Sequence, residues 1–204
     1  MCVNSSVVRD NVLDVNALTN ITFEGKELNL QPYYIMMNKP QGCVSATIDD
    51  EHQTVIDLIS ESFAELLHIA GRLDKESTGL LILTNDGIWS KLLTEPRMLI
   101  PKRYLVTTEK EIIPEVKARF EGGFYFAYED IMTLPAELEI VSTNSAIVTI
   151  YEGKYHQIKR MFHAVNNRVV SLHRLSVGCL ILDESLELGA YRSLTDNEIA
   201  ATKN

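Results

Sequence analysis

The chain has 204 residues, 46% of them hydrophobic and 23% charged, with a formal net charge of -9. Such a composition carries no disorder signature and describes a soluble globular chain, long enough for one full domain plus a small appendage. Cys2, Cys43 and Cys179 stand far apart without a CxxC pair, which argues against a zinc site and a disulfide framework and fits a reducing compartment, the cytoplasm. There is no basic start followed by an apolar core, and no apolar run of bilayer length, so neither secretion nor membrane insertion is expected.

Residues 1–32 read as short strands around Val3, Val7 and Ile21, with a hairpin turn at Glu24-Gly25, and are too few to bury a core alone. Gln31-Pro32 marks a linker, so the main domain is expected over 33–204. Residues 33–37 form an apolar strand that Pro40 and Gly42 end in a turn, leaving Lys39 at its rim. Between 54 and 67, Val55, Ile56, Leu58, Ile59, Phe63, Leu66 and Leu67 recur at helical spacing and predict a packing helix.

Two strand-like apolar runs, 67–70 and 80–84, then flank a polar turn that carries Asp74 between Arg72 and Lys75, with hydroxyls following at Ser77 and Thr78. A carboxylate placed there has the exposure and cationic neighbours to stay charged and act on a ligand, though a surface turn Asp would look the same. Asp86 is placed to cap a helix through Ile88, Trp89, Leu92 and Leu93 that stops before Pro96, and Trp89 belongs to its apolar stripe. Residues 101–107 read as a strand bearing Lys102 and Tyr104. A short helix near 114–120 follows, with a Gly122-Gly123 turn and strands near 136–141 and 145–151.

After Gly153, the positions Ile158, Met161, Phe162 and Val165 make one face of a helix that begins with Lys159 and Arg160. Cations oppose the macrodipole at a helix N-terminus, so their placement predicts a partner that offsets the cost. Strands over 169–175, 177–182 and 188–195 and a helix near Asp196 end the chain. Short strands outnumber helices without regular alternation, which predicts an α+β domain on a largely antiparallel sheet.

Net negative charge opposes an RNA partner at first sight, because Lys and Arg supply most non-specific affinity for phosphate. Its distribution points the other way. From 153 to 182 there is no acidic residue, while Lys154, Lys159, Arg160, Arg168, Arg174, His156, His163 and His173 all lie there. An acidic back and a basic face can share one domain.

The segment GRLDKESTGLLILTNDG, residues 71–87, resembles the active-site motif of the bacterial pseudouridine synthases that modify ribosomal RNA, and the small-subunit type most of all. Two more segments follow in the family's order: Lys102-Arg103-Tyr104 and GKYHQIKRM, residues 153–161. The Asn38-Lys39-Pro40-Gln41-Gly42 turn also has its counterpart there, at the start of the catalytic domain, where its work is to support the floor of the site.

By position, the resemblance makes Asp74 the nucleophile, with Arg72 beside it helping to hold the flipped-out uridine. Tyr104 would pack on the target base and accept a proton, and Lys159 would pair with the carboxylate. Arg160 would face phosphate, with Lys39, Lys102, His156 and Arg174 as further RNA-binding residues. Residues 1–32 resemble the C-terminal half of a small S4-type RNA-binding module whose helical first half has no counterpart here; the other reading is that they add edge strands to the main domain.

The reaction implied is the isomerisation of a uridine: the N-glycosidic bond breaks, the uracil turns, and C5 joins the ribose C1′. It contains no redox step and calls for no cofactor or metal, and no phosphate-binding glycine loop or metal-ligand cluster stands in the sequence. The implied partner is ribosomal RNA or a ribosome assembly intermediate, met by a monomer. Its substrate would be 16S rather than large-subunit rRNA, because residues 38–42, 49–52, 87–90 and 96–97 look closer to the small-subunit type. A non-catalytic RNA-binding module, a glycoside hydrolase with two carboxylates and a metal-dependent phosphatase are the rivals, and the last two lack a motif.

Overall fold

A computed structural model describes residues 1–3, 5–9, 21–27 and 31–203. It divides into two compact units, 1–32 and 33–204. In the first, β1 (Cys2–Val3), β2 (Ser6–Val7), β3 (Ile21–Phe23) and β4 (Lys26–Glu27) form an antiparallel sheet in the order β2-β1-β3-β4. Phe23 pairs with Lys26 around Glu24 and Gly25, whose φ values of 49° and 78° both lie in the left-handed region. Two positive φ values are what the tight hairpin turn requires, and Gly25 adopts its own without strain.

The second unit contains, in chain order, β5 (Tyr34–Lys39), β6 (His68–Ile69), β7 (Thr78–Thr84), α1 (Gly87–Thr94), β8 (Lys102–Thr108), α2 (Glu115–Glu121), β9 (Tyr125–Phe126), β10 (Ile131–Met132), β11 (Glu137–Ser142), β12 (Ser145–Ile150), α3 (Gln157–Ala164), β13 (Val169–Val177), β14 (Leu180–Ile181), β15 (Tyr191–Ser193) and α4 (Asp196–Ala201). Nine strands form the main sheet in the order β11-β12-β8-β13-β7-β5-β15, with β14 on β13 and β6 on β7. Its pairings are antiparallel except β13 with β7, which run parallel at His173↔Thr78 and Arg174↔Gly79.

The centre of this sheet is covered on both faces. Ile35, Met37, Leu81 and Leu83 point into one core with Phe120, Ile158 and Phe162, while Met36, Leu80 and Ile82 point into the other with Trp89 and Leu93. Alternate residues of β5 and β7 thus meet different layers, which is why their sequences read as unbroken apolar runs. Asp86 caps α1 by accepting from the Ile88 and Trp89 amides at 3.1 and 2.9 Å, a contact worth about 1 kcal/mol. Trp89 is only 1% exposed and its indole donates to Thr202, so it is core as expected.

The helix expected over 54–67 does not form; the segment is a series of turns with one short 3-10 helix at Ala64–Leu66. Val55, Ile56, Ile59 and Leu67 are nevertheless buried. The Ser60 amide, which a helix would give to the Ile56 carbonyl, donates to the Tyr191 hydroxyl at 3.1 Å, and Phe63 stacks on Tyr33 at 4.1 Å. Apolar periodicity marked which residues seek burial, while distant partners and poor helix formers (Val55, Ile56, Ile59, Ser60, Ser62) decided the backbone.

Candidate active site

Asp74 lies in the turn between β6 and β7, and a set of buried donors holds that turn. Ser45 Oγ donates to the Leu73 carbonyl at 2.8 Å and accepts from the Leu73 amide at 3.1 Å. Lys39 is 0% exposed, and its ammonium donates to the carbonyls of Pro40, Lys75 and Ser77 at 3.0, 3.1 and 2.9 Å. Burial pushes Lys39 down to about 8, so at neutral pH it keeps the three protons those carbonyls need.

Arg174, 1% exposed, reaches from β13 to the carbonyls of Leu80, Gly71 and Arg72 at 2.7, 2.9 and 3.5 Å. Gly79 makes this approach possible. A Cβ there, at φ +100°, would lie 2.4 Å from the Arg174 carbonyl oxygen.

These contacts correct two expectations. Lys39 and Arg174 cannot bind RNA directly, because both are buried with their donors committed to main-chain carbonyls on either side of Asp74. Lys39 is not at a solvated rim; it supports the floor of the site, as its turn implied.

The partners of Asp74 come from the start of α3. Lys159 Nζ lies 2.8 Å from Asp74 Oδ2, and His156 Nε2 lies 3.4 Å from Oδ1. Gln157, 3% exposed, anchors that helix start by accepting from the Lys154 amide and donating to Glu152 Oε1. Ile158, Met161 and Phe162 bury the opposite side of the helix in the core, which leaves Lys159 facing the turn. The cations at this N-terminus therefore have anionic partners within the protein.

Asp74, Lys159, His156 and Arg72 share a cavity of about 90 Å³ with Tyr104 and Leu172. Tyr104, 6% exposed, stands on β8 opposite Arg174 of β13, so the strand that packs the turn also sets the tyrosine. Ser77 Oγ, buried at the same wall, has no hydrogen-bond partner among the described residues.

Two other expected RNA contacts are not free. Arg160 donates through both Nη atoms to Glu129 at 2.8 and 2.6 Å and lies 3.6 Å over the Phe126 ring, so in this structure its fork is engaged by a carboxylate. Lys102 donates to the Ile100 carbonyl at 3.0 Å, and burial, then the charge of Arg174, lowers its pKa. It is half-buried and does not line the cavity with Asp74. Lys154 pairs with Glu152 at 3.1 Å, so the acid-free stretch after 153 is not one uniform basic face. Ser45 and the Glu152–Gln157 anchor leave no signal in the sequence, because a loop serine and a polar pair before a helix carry no local pattern.

The family described as RNA pseudouridylate synthase matches residues 33–164, which span the Asp74 turn, Tyr104 and the start of α3. The chain belongs to this family. Ribosomal small subunit pseudouridine synthase A of Salmonella typhimurium is 46% identical over 89% of this chain and 79% of that protein. The protein of the same name from Pseudomonas aeruginosa is 43% identical over 98% of this chain and 87% of that one. A crystal structure described as a pseudouridylate synthase superposes with a TM-score of 0.82 at 40% identity, over 98% of this chain and 87% of that chain. The pseudouridine synthase fold expected from the motifs is thus the fold of this chain, and the chain is an rRNA pseudouridine synthase, an isomerase. No described helix is long and apolar enough to cross a membrane.

Proposed function

We propose that this pseudouridine synthase isomerises a uridine of 16S small-subunit ribosomal RNA, with Asp74 as nucleophile, acting in the cytoplasm as a monomer on the RNA or on a ribosome assembly intermediate. The observation that carries the assignment of roles is the Asp74–Lys159 pair at 2.8 Å on the wall of the cavity that Tyr104 also lines. The relatives' shared small-subunit name supports the choice of RNA.

A uridine must leave its stack to reach such a recessed site, and Arg72, exposed at the cavity, helps to hold it there. Asp74 adds to the ribose C1′ or to the uracil ring, the N-glycosidic bond breaks, and Lys159 and His156 hold its carboxylate in place. The uracil turns and C5 bonds to C1′. Tyr104, over the ring, takes the C5 proton, and N1 gains one, so the product is an isomer of the substrate with no atom lost. The N-terminal unit acts as a partial S4-like RNA-binding appendage.

Tritium release from 16S rRNA transcribed with 5-tritiated uridine tests this, because forming the C5–C1′ bond sends the C5 hydrogen to water. Release from 16S and not 23S transcript is expected. Release from 23S alone would move the substrate to the large subunit, and RNA binding with no release from either would leave a non-catalytic binding module.

A further inference from the structure

Beside the cavity that holds Asp74 lies a second one, of about 420 Å³, whose walls include Arg72, Asp74, Lys75, Tyr155 and His156. Tyr155 is 74% exposed, although it follows a strand end and precedes a packed helix, where a large aromatic ring would ordinarily find cover. Its ring is not loose: it stacks on the His156 imidazole with centroids 3.9 Å apart and planes 20° apart. The same imidazole lies 3.4 Å from Asp74.

The stack depends on an uncommon backbone. Consecutive side chains diverge in a strand and in a helix. At His156 the chain turns into the left-handed region, φ 47° and ψ 33°, which non-glycine residues adopt rarely and at a cost. The strain falls at one residue beside the site, and its result is one imidazole turned on Asp74 and one phenol ring turned to solvent. Arg72 and Lys75 stand at the same cavity without an ion pair among the described residues, unlike Lys154 and Arg160.

We infer that Tyr155 and His156 form a stacking platform for a second, unpaired nucleobase next to the uridine bound at Asp74, with Lys75 and Arg72 receiving the phosphates between the two. The inference rests on the proposed RNA substrate. A flipped uridine leaves its neighbours without one stacking partner, and unpaired RNA bases are held by aromatic faces and by cations along the backbone. A phenol face accepts any base, so the platform supplies affinity without choosing sequence. His156 ties it to the reacting carboxylate as a positioning residue.

The test compares wild type with Tyr155→Phe, Tyr155→Ala and Lys75→Gln, measuring Kd for the 16S transcript across a salt series alongside tritium release. Tyr155→Phe should match wild type. Tyr155→Ala should weaken binding and raise KM by about tenfold, with kcat retained at saturation and an unchanged slope of log Kd against log salt, since stacking releases no counterions. Lys75→Gln should lower that slope by about one.

Equal Kd for wild type and Tyr155→Ala, or an equal loss in Tyr155→Phe, would overturn the platform. A wild type that binds but releases no tritium would defeat the proposed reaction, and the Kd values would still decide the platform.

Discussion

Asp74 and Asp183 make an instructive pair. Each side chain is little more than a quarter exposed, at 27% and 29%, and each holds a basic side chain at 2.8 Å. Around Asp183 three donors take up most of the hydrogen-bonding capacity. It accepts from the Ser185 amide at 3.0 Å, the Ser185 hydroxyl at 2.6 Å and Arg192 Nε. Arg192 then grips Glu198 with both Nη atoms, and Glu198 closes a capping box with Thr195 at the start of α4. This network fastens the last strand to the last helix.

Asp74, by contrast, meets the Lys159 ammonium, the His156 imidazole and no hydroxyl or amide donor among the described residues, and it borders a cavity. A carboxylate held by three donors from its own fold elements organises a fold, whereas one held by an ammonium and an imidazole beside open space can still bond to something else. Geometry of the ion pair does not distinguish them; the surroundings do.

If that contrast is right, Asp74→Asn should leave thermal unfolding nearly unchanged and reduce turnover by on the order of 10⁴-fold or more, because the amide keeps the size and loses both charge and nucleophilicity. Single-turnover tritium release and circular dichroism check the two halves; a folded, active variant would end the assignment. Tyr104→Phe, at the far wall of the same cavity, keeps the ring and removes the hydroxyl. RNA affinity should hold while the reaction slows by about 10²–10⁴-fold.

The smallest effect belongs to the Asp183 network. Arg192→Gln should leave activity intact and lower the thermal midpoint by roughly 2–4 °C at neutral pH. Ser185 and then Arg192 hold Asp183 down at about 2, and Arg192 and then Thr195 hold Glu198 at about 2. Both folded values lie below the ordinary carboxylate range, so their stabilisation is present above about pH 4 and fades as the pH falls through 2. The gap in midpoint between wild type and Arg192→Gln should therefore be widest near pH 7 and shrink between pH 4 and 2. A gap that widens in acid would contradict the network's role.

Much of this molecule could be read from the chain itself. The runs at 34–39 and 78–84 are apolar without alternation because both faces of those strands are covered, and Asp86, Trp89 and the Glu24-Gly25 turn act through neighbours within a few residues. The Asp74 turn was equally legible as a loop between two strand-like runs, while the role expected of Asp74 came from the resemblance of residues 71–87 to the family's motif.

What the chain could not state by itself is where each cation ends. Lys39, Arg160 and Arg174 read alike as basic residues open to RNA, yet two are buried on carbonyls around the Asp74 turn and the third is clasped by Glu129. Residues 54–67 carry helical periodicity and fold as turns because Tyr191 and Tyr33 supply contacts from outside the segment. Local patterning reports a residue's preference for burial or water over a few positions. A charged or polar side chain answers to the carbonyl, carboxylate or empty volume that lies within about 3 Å, and only the folded sheet brings Lys159 to Asp74.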